Sequence, residues 1–338
     1  MIDLKLLSHH GDQDVPPGLL DLAVNVRTGG APAWLAARIA SADLATYPDQ
    51  TDAIAAIANR HERAADEVLL TAGAAEAFVL IARALRPRHA IVVHPQFTEP
   101  EIALRAAGHR VTQVVLARPF TLDPAAVPDA ADLVVIGNPT NPTSVLHPRE
   151  VLRALVRPGR IVMVDEAFAD CVPREAHSLA GDADLAGLVV VRSLTKTWGL
   201  AGLRVGYLLA AADTVRDLRR AQPAWPVSSP ALAACVACSA ASAVDEAQRW
   251  AVQLGECRDT LVRRLTSIPG VSVVPGASAS FLLIETPRDD VRVRLHGKGF
   301  AVRRGETFPG LGPRWIRVAI RDEATAAAFA DALEETLR

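Results

Sequence analysis

With 338 residues, half of them apolar and 22% charged, the chain is long enough for one large domain and a smaller one beside it. A formal net charge of -2 leaves no basic excess to neutralise nucleic-acid phosphates, and no apolar run approaches the ~20 residues that span a bilayer. The opening residues lack the basic-then-apolar pattern of a secretory signal, and four cysteines make no disulfide framework at this size, so a cytoplasmic protein is expected.

In chain order, a strand expected over residues 68–70 turns at Gly73 into a helix, Ala74–Leu85, with Phe78, Ile81, Ala82 and Leu85 at helical spacing. Apolar runs follow at 90–93, 133–136, 161–164 and 188–191, with a further helix expected over 150–155. The runs show no polar alternation, so both faces should be covered, as in a mainly parallel sheet between layers of helices. That pattern makes the fold α/β. After about residue 225 come an Ala-rich helical stretch over 230–265, short strands at 271–274, 281–284 and 315–320, and a closing helix near Glu323–Leu337. The expected division is an N-terminal arm over 1–30, a large domain over 31–225 and a small α+β domain over 226–338. Cys235 and Cys238 form a C-x-x-C inside the Ala-rich helix with no partner pair nearby, and read as core residues rather than a zinc site.

In an open α/β sheet, ligands sit beyond the carboxyl ends of the strands. Those ends here carry Phe97, then Asn138-Pro139-Thr140-Asn141-Pro142, then Asp165-Glu166, then Ser193-Leu194-Thr195-Lys196. Lys196 is notable because only three of the 36 basic residues are lysine, the others being Lys5 and Lys298 in polar or Gly-flanked settings. A primary amine can condense with an aldehyde, which a guanidinium cannot do.

This set matches what pyridoxal phosphate asks of a protein: an amine for the aldehyde, an acid for the ring nitrogen, a face for the ring and a cup for the phosphate. Lys196 supplies the amine, Asp165 the acid, Phe97 the stacking face, and Asn141 a hydrogen bond to the ring hydroxyl. The turn Gly73-Ala74-Ala75 opens a helix whose free N–H groups favour an anion, and Ser193 and Arg204 can add a hydroxyl and a fork of donors. Taken singly, each has an ordinary reading: a strand-to-helix junction, a helix cap, a core aromatic, a snorkelling lysine. Their order at successive strand ends is what carries the functional one. A nicotinamide site would need a glycine fingerprint that is absent.

Residues 193–207, Ser-Leu-Thr-Lys-Thr-Trp-Gly-Leu-Ala-Gly-Leu-Arg-Val-Gly-Tyr, resemble the lysine signature of the class I/II aminotransferases, enzymes of fold type I. The Asn-Pro-x-Asn-Pro motif at 138–142, Asp165-Glu166-Ala167-Phe168 and Tyr47-Pro48-Asp49 extend the resemblance along essentially the whole chain. It implies a homodimer with the active site at the interface, Tyr47 reaching the cofactor phosphate of the other subunit, and Phe168 beside the cofactor.

Within the family the chain is similar to histidinol-phosphate aminotransferases and to the threonine-phosphate decarboxylases of cobalamin biosynthesis. The second is favoured at three places: Phe168 where the aminotransferases carry Tyr, the stretches 301–311 and 314–321, and His9-His10-Gly11 with Asn25 downstream. The resemblance implies that Arg303 and Arg317 bind substrate anions, with His10 and Asn25 near the substrate phosphate. Departures from the pattern are the segment after Asn25, Ser144 in a usual glycine position, and Ala72 in the phosphate turn. The expectation is a decarboxylase of threonine O-3-phosphate, with an aminotransferase of histidinol-phosphate type as the alternative. A silent regulator built on the fold is disfavoured by the presence of both Lys196 and Asp165.

Overall fold

The computed structural model describes residues 4–338; the first three residues of the expected N-terminal arm, and the side chains of Leu4 and Lys5, lie outside the described part. In chain order the strands are β1 (Leu20–Asp21), β2 (Val68–Thr71), β3 (Ala90–His94), β4 (Val111–Val115), β5 (Leu133–Gly137), β6 (Ile161–Asp165), β7 (Leu188–Ser193), β8 (Gly206–Ala210), β9 (Ser272–Val273), β10 (Phe281–Glu285), β11 (Phe300–Ala301), β12 (Arg303–Arg304) and β13 (Trp315–Ala319).

Seven of them form one sheet in the order β2-β8-β7-β6-β5-β3-β4. The run from β7 to β4 is parallel, as its unalternating apolar sequence requires, while β8 lies antiparallel between β2 and β7. Alternate residues feed two separate cores. Ile91, Val93, Val134, Ile136, Val162 and Val164 pack on one face; Val92, Leu133, Val135, Met163 and Val189 pack on the other, against the helix Ala74–Leu85. Burial on both faces explains why these strands show no polar alternation.

The C-terminal sheet is four-stranded, β12-β13-β10-β9, antiparallel, and backed by helices Ala241–Thr266 and Glu323–Leu337 through Leu254, Leu261, Leu265, Phe329 and Leu333. The Ala-rich stretch expected as one helical segment breaks at Ala240, giving Ser229–Ser239 before the long helix. Cys235 and Cys238 are buried in the main core. The N-terminal segment joins the two sheets: β1 pairs in parallel with β11, Ala319 N donates to Leu22 O, and Arg27 N donates to Lys196 O. Strands β4 and β8 were not expected from the sequence. Val111–Val115 is an edge strand with polar Thr112 and Gln113, and Gly206–Ala210 begins in the last two residues of the lysine motif.

The helix 150–155 is observed as Arg149–Arg153. Ser144, in the usual glycine position, has φ 62°, and its Oγ accepts from the Ser278 and Ala279 N–H groups at 3.0 and 2.8 Å. A glycine could adopt that backbone more easily and would keep the bond from Ser278 N to the carbonyl of residue 144 at 2.9 Å, but it would leave the Ala279 N–H without the Oγ acceptor.

Candidate active site

The carboxyl ends of β3, β5, β6 and β7 open into a cavity of about 470 Å³, closed from the other side by the N-terminal segment and by β12 and β13. Register sets the arrangement. Gly137 at the end of β5 pairs with Asp165 at the end of β6, and Ser193 at the end of β7 pairs with Gly206 of β8, which in turn faces Thr71 before the Gly73 turn. Phe97, Asn141, Asp165, Phe168, Ser193 and Lys196 therefore meet around one space although up to 99 residues separate them in sequence.

The electrostatics favour a cofactor that takes an amine and a carboxylate. Desolvation in the cavity lowers the Lys196 amine to about 8, helped by the positive charge of Arg317 and opposed by the nearby Asp165. Desolvation also raises the Asp165 carboxyl to about 6, opposed by the Ala167 N–H, which it accepts at 3.1 Å, and by the Lys196 charge. The amine thus frees its lone pair near pH 8 rather than above 10, and the acid lies where a buried cationic ring nitrogen would restore its charge. The Lys196 Nζ is 5.8 Å from the Phe168 ring centre, and Phe168 packs edge-on against Phe281 at 4.9 Å.

The phosphate end is built from the turn and Arg204. Gly73 has φ 78°, and a Cβ there would lie 2.6 Å from the Arg204 Nη2, so Arg204 can lie over this turn only because residue 73 has no side chain. Ala74 and Ala75 begin the helix with free N–H groups, the arrangement that holds an anion. Lysine, carboxylate, aromatic wall and anion cup together fit pyridoxal phosphate.

On the substrate side, Arg317 is buried and donates to Asn141 Oδ1 at 2.5 Å and to Ala23 O. With its amide oxygen turned toward the guanidinium, Asn25 accepts from Arg317 Nε and Nη1 at 3.1 and 3.0 Å. His10 lines the cavity, and its Nε2 lies 2.7 Å from Glu99 Oε1. Arg303 also lines the cavity, but its guanidinium is engaged: Nη1 donates to Asp14 at 2.9 Å and Nη2 to His9 O at 2.6 Å. Arg303, expected to bind a substrate anion, thus reaches the cavity with two of its N–H groups already engaged. Tyr47 does not line this cavity; it is 75% exposed and stacks on Trp225 at 4.2 Å.

Sequence reasoning passed over Asp14, Glu99 and Gln96. Gln96 is buried against the cavity with its Nε2 unpartnered among the described residues. It also passed over the ion cluster behind Asp165, in which buried Arg192 meets Glu166, Asp170 and Glu175 at 3.1, 2.7 and 2.7 Å. The signal was an arginine inside an apolar strand run, which needs buried carboxylates nearby.

The chain belongs to the class I and II aminotransferases, whose family model matches residues 17–333. It is accordingly an enzyme of the pyridoxal-phosphate-dependent, fold type I class, in agreement with the fold and the site. At 52% identity over 325 residues, 95% of this chain and 88% of the relative, it is similar to a histidinol-phosphate aminotransferase of Mycobacterium tuberculosis. It is 31% identical over 339 residues, 95% and 92% of the two chains, to the threonine-phosphate decarboxylase of Salmonella typhimurium. Among solved structures, the histidinol-phosphate aminotransferase of Sinorhizobium meliloti in complex with pyridoxal-5'-phosphate matches with a TM-score of 0.82 at 22% identity, covering 93% of this chain and 90% of that one.

These findings overturn the expectation of a threonine-phosphate decarboxylase: the 52% relative is a histidinol-phosphate aminotransferase, and the decarboxylase stands at 31%. The local features that favoured it have other work. Phe168 packs on Phe281, and Arg303 holds the N-terminal segment.

Proposed function

We propose that this enzyme is an aminotransferase of histidinol-phosphate type, moving an amino group between a small phosphorylated amine and a 2-oxo acid. The observation that carries the reading is 52% identity across 95% of the chain. The bound cofactor supplies the electron sink that makes the substrate Cα–H bond labile. In this reading Lys196 Nζ would hold the cofactor and, once the substrate amine has displaced it, would take the proton from Cα and deliver it to the carbon that bore the aldehyde, a role suited to an amine lowered to about 8. Asp165 holds the ring nitrogen protonated, Phe97 covers the ring and Asn141 serves its hydroxyl. Gly73, Ala74, Ala75, Ser193 and Arg204 hold the phosphate, with Phe168 walling the opposite side.

Arg317 anchors the substrate anion, oriented by Asn25 and Asn141, while His10 closes the mouth. A phosphorylated amine without a carboxylate presents one anionic group, which one guanidinium held by the neutral acceptors Asn141, Ala23 O and Asn25 can meet.

The same reading makes the enzyme a cytoplasmic homodimer with an arm over 1–30, a large domain over 31–225 and a small one over 226–338. Support for the dimer comes from the exposed surface around Tyr47, Trp225 and Leu44, large apolar side chains of the kind that interfaces cover. Tyr47 would then serve the other subunit's phosphate cup.

Incubating the loaded enzyme with histidinol phosphate and a panel of 2-oxo acids tests the reaction. The expected products are the corresponding oxo phosphate and the amino acid of one 2-oxo acid. No oxo product from histidinol phosphate with any acceptor would overturn the reading.

A further inference from the structure

Gln96 stands in the cavity wall between the end of β3 and Phe97, 2% exposed, with its Nε2 unpartnered among the described residues. Its backbone is held from behind. The Gln96 N–H donates to His94 Nδ1 at 3.4 Å, and the other ring nitrogen of His94 lies 2.6 Å from Glu101 Oε2. Glu101 also accepts from Gln113 at 2.9 Å and from Arg105 at 2.7 Å, so it acts as a carboxylate, His94 Nε2 carries the proton and Nδ1 is left to accept. On the other side Thr98 Oγ1 donates to Leu7 O at 2.6 Å. Residue 96 is thus fixed between two anchored neighbours. A buried amide donor without a partner destabilises the empty site, and an apolar side chain of the same length would not.

Place along the sheet indicates which ligand the amide serves. In the order β2-β8-β7-β6-β5-β3-β4, Gln96 follows β3, at the opposite end of the rim from β2 and the Gly73 turn. It stands next to β5, whose exit loop holds Asn141 on Arg317. The amide is therefore far from the phosphate cup and beside the substrate anchor. We propose that Gln96 is a specificity-determining residue: its amide donates to an acceptor on the substrate's side group, the part of the molecule beyond the anion held at Arg317. The terminal torsion of a glutamine is soft, so the N–H can turn into the cavity while the backbone stays fixed. A side group with no acceptor would leave the donor buried and unpaired in the complex, and the site discriminates against it for that reason. The inference rests on this cavity being the amino-substrate site, as in the proposed reaction, but its test uses binding rather than turnover.

Titration calorimetry on the cofactor-loaded enzyme compares 2-(imidazol-4-yl)ethyl phosphate with 2-phenylethyl phosphate at about pH 8.5, where the imidazole is neutral. Neither ligand carries an amine, so neither reacts. Gln96→Met should weaken the imidazole ligand by about tenfold or more and leave the phenyl ligand within about threefold of native. The loaded, ligand-free variant should melt no lower than native enzyme, because the unpartnered amide is gone. On native enzyme 2-(pyridin-3-yl)ethyl phosphate, which offers an acceptor but no N–H, should bind more tightly than 2-phenylethyl phosphate; this ranking stands as the test should Gln96→Met misfold. An unchanged imidazole-to-phenyl ratio in the variant, whether both ligands weaken equally or neither does, would overturn the proposal. So would tighter native binding of the phenyl than of the pyridyl ligand, or a clearly lower melting temperature, which would assign the amide to bound water. Failure of histidinol phosphate to react, with these ratios as expected, would strike the proposed reaction and leave the role of Gln96 standing.

Discussion

Arg317 donates to Asn141 Oδ1 at 2.5 Å, so the residue proposed to meet the substrate anion and the residue proposed to serve the cofactor ring are joined by one hydrogen bond. Asn141 lies in the exit loop of β5 and Arg317 sits in β13 of the other sheet, so this bond also ties the two sheets together across the cavity.

Arg317→Lys should show what that coupling contributes. A lysine carries the charge but cannot meet Asn141, Ala23 O, Asn25 and a ligand from one planar fork. We expect kcat/KM to fall roughly 10- to 150-fold, the equivalent of about 1.5–3 kcal/mol for one charged hydrogen bond. Steady-state kinetics decide it, and near-native kcat/KM would show that charge alone suffices.

Cofactor capture should depend on pH through Lys196. Only the free amine attacks an aldehyde, and the cavity holds this amine near 8 rather than 10.5. The rate at which apoenzyme takes up pyridoxal phosphate should therefore rise about tenfold per pH unit below 8 and level off above it. Stopped-flow absorbance measures this. A rise continuing to pH 10 would mean that Arg317 and burial do not depress the amine.

Asp165 should cost the apoprotein stability. Its carboxyl titrates near 6 when folded against 3.8 as the reference, so the folded state binds the proton more tightly. The favourable contribution exists at low pH and is lost as pH rises through 6. Asp165→Asn cannot ionise and its amide oxygen can still accept the Ala167 N–H. At pH 7.5 the apo variant should gain up to ~3 kcal/mol over native, a difference that closes toward pH 4, while turnover falls sharply. Urea unfolding of both apoproteins at the two pH values, with parallel kinetics, makes the comparison.

Arg192→Met should be among the most destabilising changes. It leaves the buried carboxylates of Glu166 and Asp170 and the half-buried one of Glu175 short of their shared partner, with Arg60 the ion-pair partner remaining on Asp170 and Glu175 among the described residues. Breaking a buried ion pair from one side costs about 3–5 kcal/mol. A loss below 1 kcal/mol in urea unfolding would show that water or protonation relieves the cluster.

Ser144→Gly opposes two effects of known size. Relief of the positive φ should return up to about 1 kcal/mol, whereas the Ala279 N–H would lose its acceptor at about 1–3 kcal/mol, the Ser278 N–H keeping the backbone carbonyl of residue 144 at 2.9 Å. The second is larger, so the glycine variant should be less stable by thermal unfolding.

By itself the sequence determined the α/β class, the parallel strands and the cofactor. Strands buried on both faces must be written as unbroken apolar runs, and the chemistry of an aldehyde cofactor requires an amine and an acid at strand ends, as at Lys196 and Asp165. The placement of β8 antiparallel inside the sheet was not legible, because hydrogen-bond direction leaves no mark on the side chains of a fully buried strand. The substrate side was the least legible. A family pattern names Arg303 as an anion binder, but whether its guanidinium is free depends on a carboxylate 289 residues earlier in the chain, and only the packing of the N-terminal segment against β12 brings Asp14 there. Motifs record which groups a reaction needs; the charge those groups present to a ligand is decided by the neighbours that folding supplies.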